Sequence, residues 1–296
     1  ALGRLRPCSH IGVGAARVDR IASTRRLLGD DGKIWAVRWT KSPDPAVRAA
    51  PEGLIDPMLK TIGFYDGDEP LALLHYYAVH PTSIDGTGQV TPEFVGLARQ
   101  QRTAESGVPH IYFTGCAGNI TTGKYNDGVA DNRELFAGRI RDAMVAAEQT
   151  LKRQPLVAVR WAVEPVCLPP REDMDEAGLL AALQQQADAA KVHSKTALML
   201  TYWRRRKRPI PFSCLHLGEQ VAIAHLPGET FIEYQLHAQA ARPDAFVAVA
   251  GYGDLGTGYI TLASSFAEGG YEPQDAFVSG ASEALMRTAI DEILKK

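Results

Sequence analysis

The chain has 296 residues, 45% apolar and 22% charged, and 32 basic against 34 acidic side chains leave it at a net −2. That balance describes a folded globular chain and excludes a disordered tail, a collagen-like repeat and a global basic field for nucleic acid or anionic lipid. No apolar run reaches the about 18 residues of a membrane helix, so no transmembrane segment is expected. Cys8, Cys116, Cys167 and Cys214 form no CxxC, which excludes a zinc knuckle or dithiol redox motif and leaves two disulfides open. The sequence opens at Ala1-Leu-Gly-Arg without Met or a leader pattern, and is read as N-terminally incomplete or processed.

Taken in chain order, strands are expected at 33–39, 71–79, 110–113, 156–166, 212–217, 221–225 and 245–250. These runs are rich in Val, Ile, Tyr and Phe and bounded by Gly, Pro or Asp. Helices are expected at 93–101, 133–149, 176–206, 231–241 and 282–294. Leu135, Ile140, Met144 and Ala147 recur at near-helical spacing. The alternation predicts an α/β fold, a layered mixed sheet with flanking helices in a single domain over 1–296. A helical excursion at about 171–208 interrupts it and ends in the basic run Trp203-Arg-Arg-Arg-Lys-Arg208, read as a solvated helix end.

Two glycine motifs fail on context. Gly118-Asn-Ile-Thr-Thr-Gly123-Lys124 fits GxxxxGK, but Tyr125 follows where a Ser or Thr would hold Mg2+, and Asn126-Asp-Gly128 signals a turn instead of a helix. Gly251-Tyr-Gly253-Asp-Leu-Gly256 fits GxGxxG, but the β-like Tyr259-Ile-Thr-Leu follows and too little chain remains for a dinucleotide fold. A glycine turn lining a pocket is expected there.

Candidate chemistry lies elsewhere. His80 closes an apolar strand and opens the polar loop Pro81-Thr-Ser-Ile-Asp-Gly86, a position suited to a ligand and equally to a rim histidine. His75, mid-strand, is expected to be structural. Glu229, between a strand and a helix, could ligate a metal or cap the helix. Glu233 and His237 share a helical face with it and could pair on a metal, but are read first as a solvated polar stripe. Thr121 sits in a small-residue loop after a strand, where backbone N–H groups can stabilise an oxyanion.

Read together and in order, these segments resemble the neutral (alkaline, non-lysosomal) ceramidase family. Ala78-Val-His80-Pro-Thr-Ser83 is similar to its A-T-H-G-T-S loop, Gly118-Asn-Ile-Thr121-Thr-Gly to G-D-V-S-P-N, and Pro227-Gly-Glu229 matches P-G-E. Gly258-Tyr259-Ile-Thr resembles its Y-I/V-T segment, Val18-Asp-Arg20-Ile-Ala its N-x-N-R-S, and Gly269-Gly-Tyr271-Glu-Pro its R-Y-E-x-A. The resemblance implies a zinc-dependent hydrolase of N-acyl (amide) bonds with metal ligands His80, Glu229 and Tyr259. It implies Arg20 and Asn119 at the substrate, and Thr121 where the family carries its catalytic serine. Asn119 stands for aspartate, and the early H-T-H-S-G-P motif has no counterpart, the nearest histidine being His10. One Zn2+ with a further histidine upstream of Ala1 is therefore expected. The expected partner is a small-molecule or lipid-like N-acyl substrate, ceramide or another, in an extracytoplasmic or secreted setting. The competing reading is a metal-free ligand-binding module that keeps the pocket without catalysis, and metal content separates the two.

Overall fold

The computed structural model describes residues 5–88, 90–186, 194–253 and 257–295. Two sheets form its centre. The first has five strands in the order His110–Thr114, Glu69–Tyr77, Met58–Asp66, His10–Arg17, Lys152–Pro155, antiparallel except for the first pair. The second runs Val159–Val166, Ile210–Leu217, Val221–Pro227, Phe246–Gly253, with its last two strands parallel. Each parallel pair needs a crossover, and helices supply both: Glu93–Ser106 in the first sheet and Ile232–Ala241 in the second.

The strand period of two sets the layers. In Val221–Pro227, Val221 and Ile223 pack with Ala248, Ala250 and with Ile11, Ile62 and Tyr76 of the first sheet. Ala222, Ala224 and Leu226 face the other way, onto the helices Ile232–Ala241 and Ser282–Lys295. The far side of the first sheet is covered by Glu93–Ser106 and Asn132–Gln149, through Phe94, Ala98, Phe136, Ile140 and Met144. The result is one mixed α/β domain in four layers, helix, sheet, sheet, helix. The carboxyl ends of both parallel pairs open on loops, which is where such sheets bind ligands.

Most expected elements are found within a few residues of their expected places, and four differences have physical causes. The run 156–166 is two strands, Lys152–Pro155 in the first sheet and Val159–Val166 in the second, because the chain changes sheet between them. Among the described residues, the span 176–206 holds the helices Glu176–Gln184 and Lys195–Arg205, each capped by its own side chain, Asp175 and Ser194. Residues 187–193 of that span lie outside the described residues. The strands His10–Arg17 and Met58–Asp66 were not expected; their glycines lower β propensity but serve packing. A Cβ on Gly14 would lie 2.4 Å from the Ala147 carbonyl oxygen of the covering helix. Glu229 starts a two-residue strand instead of capping a helix.

The remaining motifs resolve as turns and contacts. Lys124 donates its ammonium to the carbonyls of Arg48 and Ala50, not to a phosphate cradle. Gly251 and Gly253 end a strand, while Gly256 lies outside the described residues. The four cysteines are free, and among the described residues no helix is long and apolar enough to cross a membrane.

Candidate functional site

His80 leaves the end of Glu69–Tyr77 and is held by the neighbouring loop 114–121: its N–H meets the Ile120 carbonyl, and its Nδ1 lies 2.8 Å from the Ala117 carbonyl oxygen. A carbonyl only accepts, so Nδ1 carries the proton and the Nε2 lone pair points outward. Tyr252 closes the ring edge-on, with its hydroxyl 3.2 Å from the same Nδ1. Its backbone takes the left-handed conformation at φ 60° to do so, uncommon for a bulky residue.

Glu229 arrives from the second sheet. Gly118 permits the approach, since a Cβ there would lie 2.4 Å from the Glu229 carbonyl oxygen, and its N–H bonds the Thr230 carbonyl. Glu229 Oε2 stands 3.2 Å from His80 Nε2, yet it is buried and has no hydrogen-bond partner. Tyr259 is its direct neighbour in a short parallel ladder. The three residues expected as metal ligands therefore converge.

Arg25, which the sequence reading did not single out, joins them: its Nη1 donates to the Tyr259 hydroxyl at 3.1 Å, and its guanidinium lies over the Tyr271 ring. Tyr271 also touches Tyr259 through its hydroxyl at 3.2 Å and stacks on Trp39. Burial works to raise the Glu229 carboxyl, and the Tyr259 hydroxyl and the Arg25 charge work against it. Burial pushes the Tyr259 phenol well up, with Arg25 opposing.

Other expected site residues are placed differently. Arg20 is exposed, with positive φ, near the Tyr125 ring, and its carbonyl accepts from Arg139; Arg25, not Arg20, is the arginine at the pair. Asn119 uses both ends of its amide on the helix Ile232–Ala241, accepting from Ile232 N–H and donating to Glu233. It caps that helix from a distance. Thr121 is buried next to Ile120 in a ladder with Ser23, and its hydroxyl donates to the Trp39 carbonyl at 3.2 Å. Glu233 and His237 do not form a stripe: His237 pairs with Asp291, and burial raises the Glu233 carboxyl. Much of the loop's N–H supply is used internally, at Gly115, Cys116, Gly118 and Ile120.

A second cluster lies inside the first sheet. Ligand atoms of His75, His110 and Glu148 come within 4.8 Å of one another, a group that could hold a metal ion. Their rings stack at 5.0 Å and are linked by a 2.8 Å His75 Nε2–His110 Nδ1 hydrogen bond, continued to Thr61 and Ser106. Arg102 forks Glu148. Burial, with His110 and Arg102, pushes the His75 imidazole down to about 3.

No family model matches the sequence, and no curated protein matches it. Among the solved structures that share the fold are two ceramidases. The neutral ceramidase from Pseudomonas aeruginosa aligns with a TM-score of 0.69 at 18% identity, over 99% of this chain and 53% of its own. A ceramidase solved in complex with C2 aligns with a TM-score of 0.70 at 15% identity, over 99% of this chain and 54% of its own. The chain spans about half the length of both, and what is shared at this identity is the fold.

Proposed function

We propose that the chain carries the centre of a zinc-dependent hydrolase of N-acyl bonds, with His80, Glu229 and Tyr259 as metal ligands and ceramide or another N-acyl compound as substrate. The observation that carries this reading is the buried, unpartnered Glu229 Oε2 facing the lone pair of His80 Nε2 at 3.2 Å. Two acceptors held face to face are unfavourable unless a cation or proton lies between them. Imidazole, carboxylate and phenol form an N/O donor set without thiolate, which suits a catalytic zinc with open positions. The family resemblance adds a histidine from outside these residues.

A zinc ion bound there supplies Lewis acidity to an amide carbonyl and to water. The protein's own groups do the rest. The Ala117 carbonyl fixes the His80 tautomer, so Nε2 needs no reorganisation to bind. Arg25 donates to the Tyr259 hydroxyl and opposes the burial that keeps the phenol protonated. Thr121, one residue beyond the carbonyl that holds the His80 backbone, is the hydroxyl nearest in sequence to that loop contact and the proposed assisting group.

Zinc content after loading and dialysis tests the proposal. About one tightly held zinc per chain is expected, lost in His80→Ala and Glu229→Gln, with metal-dependent release of amine from N-acyl substrates. No bound zinc would favour the metal-free module. Zinc retained in both variants but lost in His110→Gln would place the metal in the inner cluster.

A further inference from the structure

The two sheets end in strands of opposite character. Lys152–Pro155, at the edge of the first sheet, reads Lys-Arg-Gln-Pro, the charges and proline that blunt a free edge. Val159–Val166, at the edge of the second, instead exposes an apolar row on one face: Val159 is 60% exposed, Trp161 56% and Val163 41%. Ala162, on the other face, is buried in the cluster that the helix Ser282–Lys295 covers. An exposed apolar edge is a template for pairing with another chain.

In an antiparallel ladder, the N–H and C=O of one residue point to the same side, and successive residues alternate. Gly218 donates to the Ala158 carbonyl, so the even-numbered residues turn to the strand Ile210–Leu217 and the odd-numbered ones to the open edge. That edge presents the N–H and C=O of Val159, Trp161 and Val163, and the C=O of Pro165. Among the described residues no hydrogen bond takes them up.

We propose that this edge pairs with the same strand of a second copy of the chain, antiparallel, about a two-fold axis at Ala162. The strand is self-complementary in that register. Trp161 lies opposite Val163 of the second copy, and the two exchange edge N–H and C=O groups while their side chains cover each other. Arg160 lies opposite Glu164 of the second copy, and symmetry repeats the pair. Glu164 also interacts within its own chain, and an ionised carboxylate has room for a second partner. Pro165 meets only Val159, at the end of the ladder, where its missing N–H costs least. Moving the axis to Trp161 sets Arg160 against Ala162, and moving it to Val163 sets Pro165 against Trp161 in the middle of the ladder. The contact uses each edge once, so it closes at a dimer. It concerns association alone and does not rest on the hydrolase reading.

Sedimentation velocity over a concentration series tests the proposal. The wild type should show a monomer–dimer equilibrium, half associated on the order of 10 μM. Trp161→Lys changes a residue that is exposed in the monomer, and should weaken association by more than about 10-fold with urea stability little changed. Arg160→Glu sets acid against acid at both symmetric positions and should weaken it about 10-fold. Adding Glu164→Arg to that variant reverses the pair and should restore association to within about 3-fold of the wild type, a rescue that non-specific apolar contact would not give. A wild type that stays monomeric at about 100 μM overturns the proposal and leaves the edge to a strand of a different chain. A dimer indifferent to Trp161→Lys lies on another surface and overturns it equally. Association lost in Arg160→Glu and not rescued in the folded double variant overturns the axis at Ala162.

Discussion

Two histidine clusters grow from one strand, and they are built on opposite terms. His75, within Glu69–Tyr77, has both ring nitrogens partnered, by Thr61 at 2.9 Å and His110 at 2.8 Å, and His110 passes the chain to Ser106 at 3.0 Å. The hydroxyls at the two ends can each donate or accept, so two neutral rings fit this chain with every proton placed. A metal could enter only by breaking the ring-to-ring bond. His80, just past the strand end, has one nitrogen tied to a carbonyl and the other facing an unpartnered carboxylate oxygen. The inner cluster offers more ligand atoms, the outer one unmet bonding capacity and access. That unmet capacity, not the number of histidines, is why we propose the outer cluster as the site.

The sharpest way to break this comparison is to remove one histidine from each cluster. His75→Leu should cost about 2–4 kcal/mol, because Thr61 and His110 lose buried partners, and should leave zinc stoichiometry untouched. His80→Ala should cost no more than about 1 kcal/mol of metal-free stability and remove the zinc. Urea unfolding of the metal-free proteins and elemental analysis of the loaded ones read the two effects separately. Zinc that follows His75 would invert the assignment.

A smaller effect is expected from pH. The folded state holds His75 at about 3, against an ordinary value of 6.5, because burial, His110 and Arg102 all oppose its charge. Above pH 6.5 the ring is neutral in both states and its contribution is complete. As pH falls from 6.5 towards 3, the unfolded chain takes up a proton that the folded one refuses. Stability then drops by about 1.4 kcal/mol per pH unit, or about 2 kcal/mol by pH 5. The pH 7 to pH 5 difference in unfolding free energy should therefore be about 2 kcal/mol smaller in His75→Leu than in the wild type. Equal differences would mean that the inner cluster is already charged and not neutral.

The two clusters also differ in how far the sequence revealed them. His80, Glu229 and Tyr259 each sit beside a strand end or glycine turn, and their shared order with a known family set them apart before any fold was known. Their meeting depends on contacts that leave no local pattern: a two-residue ladder at Glu229 and Tyr259, and a glycine at 118 whose missing Cβ lets one loop lie on another strand. Arg25 was invisible because two adjacent arginines carry no local pattern that separates them, whereas one is clamped by Glu272 and the other turned to Tyr259. The inner cluster was half legible. His75 reads as a core residue, but its partnership with His110 follows from the parallel pairing of two strands separated by a helix. The layers themselves were legible wherever apolar residues kept period, and were lost in the glycine-rich strand His10–Arg17.

The smallest expected effect tests whether Thr121 belongs to the outer cluster at all. Its hydroxyl donates to the Trp39 carbonyl, and its backbone pairs with Ser23, so it is a buried residue with a structural bond of its own. Losing that bond in Thr121→Ala should cost about 1 kcal/mol, a shift visible in urea unfolding but without consequence for zinc. Catalytic assistance would show as something more. If the hydroxyl helps at the reacting centre, Thr121→Ala should lower turnover by at least about 10-fold at unchanged zinc content. Thr121→Ser keeps the hydroxyl while removing a methyl, and should preserve or raise turnover even where it loses packing. A purely structural threonine predicts the reverse ordering: alanine and serine variants with the same turnover as the wild type, differing only in stability. Turnover and unfolding free energy measured on the same three proteins decide between them, because the serine variant separates the hydroxyl from the methyl group that packs beside it.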